Sequence, residues 1–181
     1  MRYYIYINLF LFVLLGEPAK VSEAGKISYG AALEAGKPYI LDDHTSEVVK
    51  HLLSKKEERG QGSGGEGRID IVVDNAGYEL VSDLLLGYCM VKLGIASEVV
   101  FHTKGHPTFV SDATNEDCHS TIDFLSNIND LNIEAANGFG SFVHTPQLAN
   151  ELKLMVEQEV FKFKEDLFWC QVNNSFAILF M

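Results

Sequence analysis

A short apolar run near the middle of the chain predicts the first element of the fold. Residues 69–73, Ile-Asp-Ile-Val-Val, have the length and the β-branched content of a buried strand. Polar and small residues follow at 74–77, and from 80 to 93 apolar side chains recur at helical spacing, with Gly94 as a stop signal. A strand, a polar loop and a helix in this order form the first half of a βαβ unit.

The same alternation continues toward the C-terminus. Residues 97–102 predict a second strand, and residues 107–112, Pro-Thr-Phe-Val-Ser-Asp, predict a third strand that ends on a carboxylate. His102, Lys104 and His106 fall between these two strands; they could approach a phosphate, but they are interpreted first as loop residues. The remaining predicted elements are helices at 47–56, 121–133 and 148–156 and strands at 39–41 and 160–164. The pattern predicts an α/β protein of the three-layer α/β/α type, with a Rossmann-like, mostly parallel sheet.

The predicted strand ends carry the candidate ligand site. Open α/β sheets bind ligands beyond the carboxyl ends of their strands, which is where Asp74 and Asn75 lie. Ala76 and Gly77 would let a ligand approach the backbone. Carboxylate and amide oxygens suit Mg²⁺, Mn²⁺ or a similar divalent ion, and Asp112 on the next strand end would complete such a site. The alternative is that Asp74 and Asn75 only cap the following helix.

The amino-acid composition and net charge exclude some classes of function. The 181 residues are 47% hydrophobic, which suffices for the core of one domain. A formal net charge of −11 argues against a nucleic-acid binder, although a bound divalent ion would still allow an anionic substrate. Cys89, Cys118 and Cys170 show no CxxC spacing, which indicates reduced cytosolic thiols rather than disulfides or a zinc site.

The N-terminal segment, residues 1–20, has two interpretations. Its apolar stretch ends at Gly16 and is too short for a comfortable transmembrane helix, which needs about twenty apolar residues, so we expect no membrane association. The favoured interpretation is a truncated core helix. The alternative is a secreted or membrane-anchored protein; if the segment is a signal peptide, the mature protein would start near Val21 and lie outside the cytosol. Residues 21–170 are predicted to form one metal-binding α/β domain.

Two motifs resemble a known family. Asp-Asn-Ala-Gly-Tyr-Glu at 74–79, directly after an apolar strand, and Val-Ser-Asp at 110–112 are similar to the damage-control phosphatases. The most similar branch is the metal-dependent sugar-phosphate phosphatases, also described as acidic-residue methyltransferase-like proteins. The resemblance is close over 70–112, loose before it and patchy after it. It implies a cytoplasmic, metal-dependent phosphomonoester hydrolase whose partner is a small sugar phosphate or related phosphorylated metabolite.

The resemblance also implies roles for individual residues. Asp74, Asn75 and Asp112 would hold the catalytic ion, which would be Mn, Co, Ni or Mg, and the two aspartates would be the catalytic residues. Glu79 falls in the family's ligand site, where S-adenosylmethionine binding has been proposed.

A second implied substrate contact lies near the C-terminus. Residues 164–170, Lys-Glu-Asp-Leu-Phe-Trp-Cys, correspond to a family run of lysine, glycine, aspartate, leucine, asparagine, tyrosine and arginine that contacts the anionic group of the substrate. Lys164, Asp166 and Leu167 match this run. Cys170 replaces its arginine, which removes a fork suited to phosphate.

The C-terminal end departs from the family. The chain ends before the family's later arginine-threonine-x-lysine motif, so we expect a sheet that is incomplete at its C-terminal end and a divergent apolar tail at 171–181. Two alternatives therefore stay open. One is a non-catalytic metal-binding remnant of the family. The other is an S-adenosylmethionine-dependent protein carboxyl methyltransferase, supported only by Glu79 and Asp112 because the usual glycine-rich first turn is missing.

Overall fold

A computed structural model describes residues 44–60, 67–128 and 144–170. In chain order its elements are α1 (Thr45–Gly60), β1 (Arg68–Val72), α2 (Tyr78–Lys92), β2 (Glu98–Lys104), α3 (Asn115–Asn127), α4 (Thr145–Glu157), β3 (Phe161–Asp166) and a short 3-10 helix (Leu167–Cys170). The predictions for the apolar segment 1–20, the strand at 39–41 and the tail 171–181 lie outside the described residues.

The three described strands form one parallel sheet in the order β1-β2-β3. His102 of β2 lies opposite Val72 of β1 and Lys164 of β3, and Lys104 lies opposite Asp166. Because the strands are parallel and in this register, their carboxyl ends meet at one edge of the sheet. The predicted α/β class with a Rossmann-like open parallel sheet is confirmed.

The described chain divides into two compact units. The first contains residues 44–60, 67 and 85–97, and the second, the sheet unit, contains residues 68–84, 98–128 and 144–170.

Within the first unit, α2 ends as the sequence predicts. Gly94 follows the helix with a φ of +64°, in the left-handed region that favours glycine. Two basic side chains from the end of α1 donate to carbonyls in this segment: Lys56 Nζ lies 2.6 Å from the carbonyl oxygen of Leu93, and Arg59 bonds to that of Ile95. These bonds satisfy acceptors that follow the end of a helix.

The core of the sheet unit lies on one face of β2. Val99, Phe101 and Thr103 alternate along the strand and are fully buried. The Phe101 ring lies 4.9 Å, centroid to centroid, from Phe161 and 5.5 Å from Phe163 of β3, in edge-on or tilted geometry. Buried side chains of α2, α3 and α4 complete this core: Leu80, Leu84, Cys118, Ile122, Leu152 and Met155.

Helix α3 begins earlier than the pattern 121–133 predicts. Thr114 is its N-cap, and its hydroxyl accepts a hydrogen bond from the Asp117 backbone N–H while the Asp117 carboxylate accepts from the Thr114 backbone N–H. This reciprocal capping box satisfies two donors at the helix start. The helix therefore starts at Asn115 and places Cys118 in the core.

The predicted third strand at 107–112 is wrong. These residues form a loop in which Phe109 is 73% exposed and Val110 is fully exposed. Pro107 lacks the N–H that a strand ladder needs, and the Asp112 side chain accepts the backbone N–H groups of Thr108 and Phe109, which closes the segment into a turn. The third strand of the sheet is instead Phe161–Asp166, close to the strand predicted at 160–164.

Two further sequence predictions concern the cysteines and membrane spans. All three cysteines are free thiols. Burial raises the pKa of Cys89 to about 11 and that of Cys118 to about 12. Across the described ranges, no helix has the length and apolar character needed to cross a membrane.

Candidate functional site

Backbone hydrogen bonds join the loop after β2 to the loop after β1. The Ala76 N–H donates to the Ser111 carbonyl at 2.7 Å, and the Ala113 N–H donates to the Asp74 carbonyl at 3.0 Å. Asn75 and Asp112 form an isolated antiparallel bridge between these two contacts. Asp112 therefore lies in a loop and not at a strand end. It nevertheless lies beside Asp74 and Asn75, the residues that are predicted to share a site with it.

Gly77 makes the turn from the β1 loop into α2. Its φ of +78° lies in the left-handed region, and a Cβ built on it would meet no atom within 4 Å. Glycine is thus required here by backbone conformation and not by lack of space.

Asp112 is a buried carboxylate with a full set of donors. Its Oδ2 accepts from the backbone N–H groups of Thr108 and Phe109 at 2.9 and 2.8 Å, and its Oδ1 accepts from Lys104 Nζ at 2.5 Å. Burial by itself raises the pKa of Asp112, which is 6% exposed, but these hydrogen bonds and the lysine charge outweigh burial and hold the pKa below its ordinary value. The site therefore contains an ionised carboxylate at neutral pH.

Lys104, the last residue of β2, joins the two aspartates. Its Nζ lies 2.6 Å from Asp74 Oδ1, 3.0 Å from the Asp74 carbonyl oxygen and 2.5 Å from Asp112 Oδ1. Burial lowers the pKa of Lys104, but the hydrogen bonds to Asp112 and Asp74 outweigh it, so the pKa is raised. Three acceptors use the three donors of the ammonium group, and both carboxylates share one cation.

Asn75 is held by side chains on both sides. Its Nδ2 donates to Glu79 Oε2 at 3.1 Å, and its Oδ1 accepts from Ser111 Oγ at 2.8 Å. These bonds fix the orientation of the Asn75 amide oxygen. Glu79, in the first turn of α2, thereby joins the same group of residues.

A further carboxyl group lies one helical turn beyond Glu79. Asp83 is 1% exposed, and its Oδ1 has no hydrogen-bond partner within the part of the chain that the structure describes. Burial first, and then the negative charges of Glu79 and Asp74, raise the pKa of Asp83 to about 7.

The residues implied for substrate contact lie at the end of β3. Lys164 and Asp166 are exposed on the strand beside β2, at the same edge of the sheet as the aspartates. Asp166 Oδ1 accepts the Phe168 backbone N–H at 2.8 Å, so this carboxylate caps the 3-10 helix. Leu167 lies against Gly105, where an added Cβ would come within 2.8 Å of its Cδ2.

The residues present fit a hard divalent cation. Asp74, Asn75 and Asp112 offer oxygen donors, and one oxygen of each carboxylate already lies within hydrogen-bond distance of the same positive charge. No three His, Cys, Asp or Glu side chains converge as a metal-binding group in the described ranges, so the third protein oxygen would have to be the Asn75 amide.

Two residues at the site, Lys104 and Asp83, are not among the site residues that the sequence predicts. The sequence predicts a loop position for Lys104, but Lys104 belongs to β2 and its side chain lies on the face opposite Thr103. The period-2 alternation of Val99, Phe101 and Thr103 was the signal that could have placed it. Asp83 stands among leucines on the buried side of α2, and a carboxylate in such a position is an available signal for a functional group.

An open parallel sheet with carboxylates and a lysine at the carboxyl ends of its strands defines a Rossmann-like α/β protein with a charged candidate site at that edge. Residues 16–174 match the family model of the damage-control phosphatase ARMT1-like domain, and the chain belongs to this family. The resemblance read from the two motifs is thereby confirmed.

Curated relatives agree with this assignment. The chain is 42% identical over 106 residues to damage-control phosphatase ARMT1 of Xenopus laevis, which covers 58% of this chain and 23% of that protein. It is 42% identical over 84 residues to the protein of the same name from Danio rerio (46% and 18% covered) and 37% identical over 98 residues to that from Homo sapiens (54% and 22% covered). The chain thus spans about a quarter or less of the length of these relatives.

Proposed function

We propose that the protein is a divalent-metal-dependent phosphatase that acts on small phosphorylated metabolites such as sugar phosphates. The observation that carries the proposal is the convergence of the Asp74 and Asp112 carboxylates on one cation position, at the strand-end edge where this fold binds ligands. Membership of the damage-control phosphatase family supplies the reaction class.

Asp74, Asn75 and Asp112 would hold the ion. A bound divalent ion supplies a Lewis acid that polarises a phosphoryl oxygen and offsets the negative charge that develops on it. Asp112 is ionised and fixed by two backbone N–H groups, so it is suited to orient an attacking water without moving itself. Glu79 positions the Asn75 amide through its hydrogen bond.

Lys164 would receive the anionic end of a substrate. It is an exposed cation on β3, the strand that neighbours β2. Asp166 and Leu167 follow it and would line the same side of the site. Because Cys170 stands where a bidentate arginine is expected, binding of the phosphate group would be weak and substrate selection would depend more on the ion.

Phosphate release from sugar phosphates tests the proposal. The purified 181-residue chain is incubated with a panel of sugar phosphates and with Mn²⁺, Co²⁺, Ni²⁺ or Mg²⁺ in turn. Release should require the ion and should be abolished in Asp74→Asn, because this change removes a carboxylate from the cation position. Asp123→Asn is the matched control, since Asp123 is an exposed aspartate on α3 that pairs with Lys153. Equal rates in Asp74→Asn and the wild type would refute the site assignment.

A second candidate, ion binding without turnover, is favoured by one observation. Cys170, at the end of the 3-10 helix, donates from Sγ to the His106 carbonyl, so the position expected to hold a phosphate-binding arginine makes a structural contact instead. This candidate predicts that Mn²⁺ binds in calorimetric titration while no phosphate is released. Release of phosphate that depends on Asp74 would exclude it.

A further inference from the structure

The Lys104 ammonium group lies between two carboxylates that the proposed function assigns to an ion. It contacts Asp74 Oδ1, the Asp74 carbonyl oxygen and Asp112 Oδ1, all within 3.0 Å. These contacts use every donor of the ammonium group, and the side chain is only 12% exposed. A divalent ion that bound the same two carboxylate oxygens would compete directly with this lysine.

The site needs a positive charge even in the absence of an ion. Two carboxylates that share one site repel each other when both are charged, and only 6% of Asp112 is exposed, which limits the screening of its charge by water. Lys104 supplies the compensating charge from within the protein.

We propose that Lys104 is an internal counter-cation which a divalent ion must displace from at least one of the two aspartates, so that Lys104 sets the ion affinity of the site. The inference rests on the proposed function because it concerns the same ion site. It goes beyond that function by naming Lys104 as the residue that the ion has to displace and that holds the two carboxylates together in the ion-free protein.

A thermodynamic cycle gives the sign of the effect. Removing the lysine charge leaves the two carboxylates uncompensated in the ion-free protein, whereas in the ion-loaded protein the ion compensates them. The substitution therefore destabilises the ion-free state more than the ion-loaded state, and ion binding becomes tighter. The strand survives the change, because the Lys104 backbone N–H donates to the Ala113 carbonyl and the residue pairs with Asp166 independently of the side chain.

The test compares ion affinity in variants of the full 181-residue chain. Lys104→Met removes the charge at similar side-chain length, and Lys104→Gln keeps a hydrogen-bond donor and serves if the methionine variant does not fold. Lys162→Met is the matched control, because Lys162 pairs with Glu98 at the opposite end of β2. MnCl₂ is titrated calorimetrically into chelator-treated protein, and thermal unfolding is followed with and without saturating Mn²⁺.

We expect the Kd for Mn²⁺ to fall about tenfold or more in both Lys104 variants, since charge-assisted hydrogen bonds have to be broken in the wild type, and to stay unchanged in Lys162→Met. The Lys104 variants should melt at lower temperature than the wild type without the ion, and the gap should narrow with it. Folded Lys104 variants that bind Mn²⁺ no more tightly than the wild type would overturn the inference.

Two outcomes separate this inference from the proposed function. If the wild type binds Mn²⁺ and releases phosphate while the variants bind no more tightly, the inference fails and the phosphatase proposal stands. If the wild type binds no Mn²⁺ but the Lys104 variants do, the inference holds and the phosphatase proposal fails for this chain. Absence of binding in all variants would overturn both.

Discussion

Asn75 and Asp112 face each other in an antiparallel bridge although neither belongs to a strand of the sheet. Backbone hydrogen bonds flank the bridge, from Ala76 to Ser111 and from Ala113 to Asp74. The bridge fixes two loops to each other at the edge where the parallel strands end. A carboxylate from the second loop is thus held beside the polar corner of the first.

The Asp112 carboxylate should be important for stability as well as for the proposed activity. Asp112→Ala removes the acceptor of two backbone N–H groups and of the Lys104 ammonium group, at a position with little access to water. The free energy of unfolding should therefore fall by about 3 kcal/mol. Urea denaturation measures this change. Asp123→Ala, at an exposed ion pair, is the control and should leave the free energy of unfolding nearly unchanged. A similar small loss in Asp112→Ala would contradict the buried network.

Asp83 should make the ion-free protein less stable as the pH rises. Its pKa is raised from an ordinary value of 3.8 to about 7, so between about pH 4 and 7 the unfolded chain gives up a proton that the folded protein keeps. The free energy of unfolding therefore decreases across this window. Asp83→Asn removes the contribution, and the variant should gain stability relative to the wild type when the pH is raised from 5 to 7.5.

Denaturation curves at several pH values check the Asp83 prediction. Asp123→Asn is the control: the pKa of Asp123 is lowered by its hydrogen bond to Lys153, so its contribution is lost only at acid pH and its curve should run parallel to the wild type above pH 5. If the curve of Asp83→Asn also runs parallel to the wild type, the buried carboxyl does not titrate in this range.

A side chain at Gly77 should destabilise the fold for a conformational reason. Gly77→Ala introduces a Cβ at a φ of +78° where no atom would be contacted, so the expected loss of about 1–2 kcal/mol is the cost of a left-handed residue. Gly60→Ala is the matched control, since Gly60 also has open space but no positive φ and ends a helix. Thermal unfolding should show a loss only for Gly77→Ala, and equal melting temperatures would contradict the turn geometry.

Introducing an arginine at position 170 should strengthen binding of the proposed phosphorylated substrate. Cys170→Arg places a bidentate donor in the run that begins at Lys164, so KM for a sugar phosphate should fall several-fold with little change in kcat. Steady-state kinetics measures the two constants separately. Cys170→Gln, similar in size to a shortened arginine but neutral, should leave KM near the wild-type value; an equal drop in both variants would mean that charge is not the cause.

The local sequence pattern determined most of the helices and strands, and it placed Asp74 and Asn75 of the site. The β-branched run at 69–73 and the helical spacing after Glu79 correspond to β1 and α2, and the polar pair Asp74–Asn75 lies at the strand end as predicted. These features depend on side-chain periodicity and backbone preference, which neighbouring residues in the chain decide. The resemblance to the family likewise required only short motifs.

The partners of the polar side chains were decided by the tertiary structure. The apolar pair Phe109–Val110 has the composition of a strand, yet Pro107 and the turn closed by Asp112 keep it out of the sheet. Lys104 reaches both aspartates because sheet pairing sets the end of β2 beside the end of β1 and a loop brings Asp112 back to it. Such contacts join residues distant in the chain, and their geometry depends on strand register and loop closure, which no local pattern encodes.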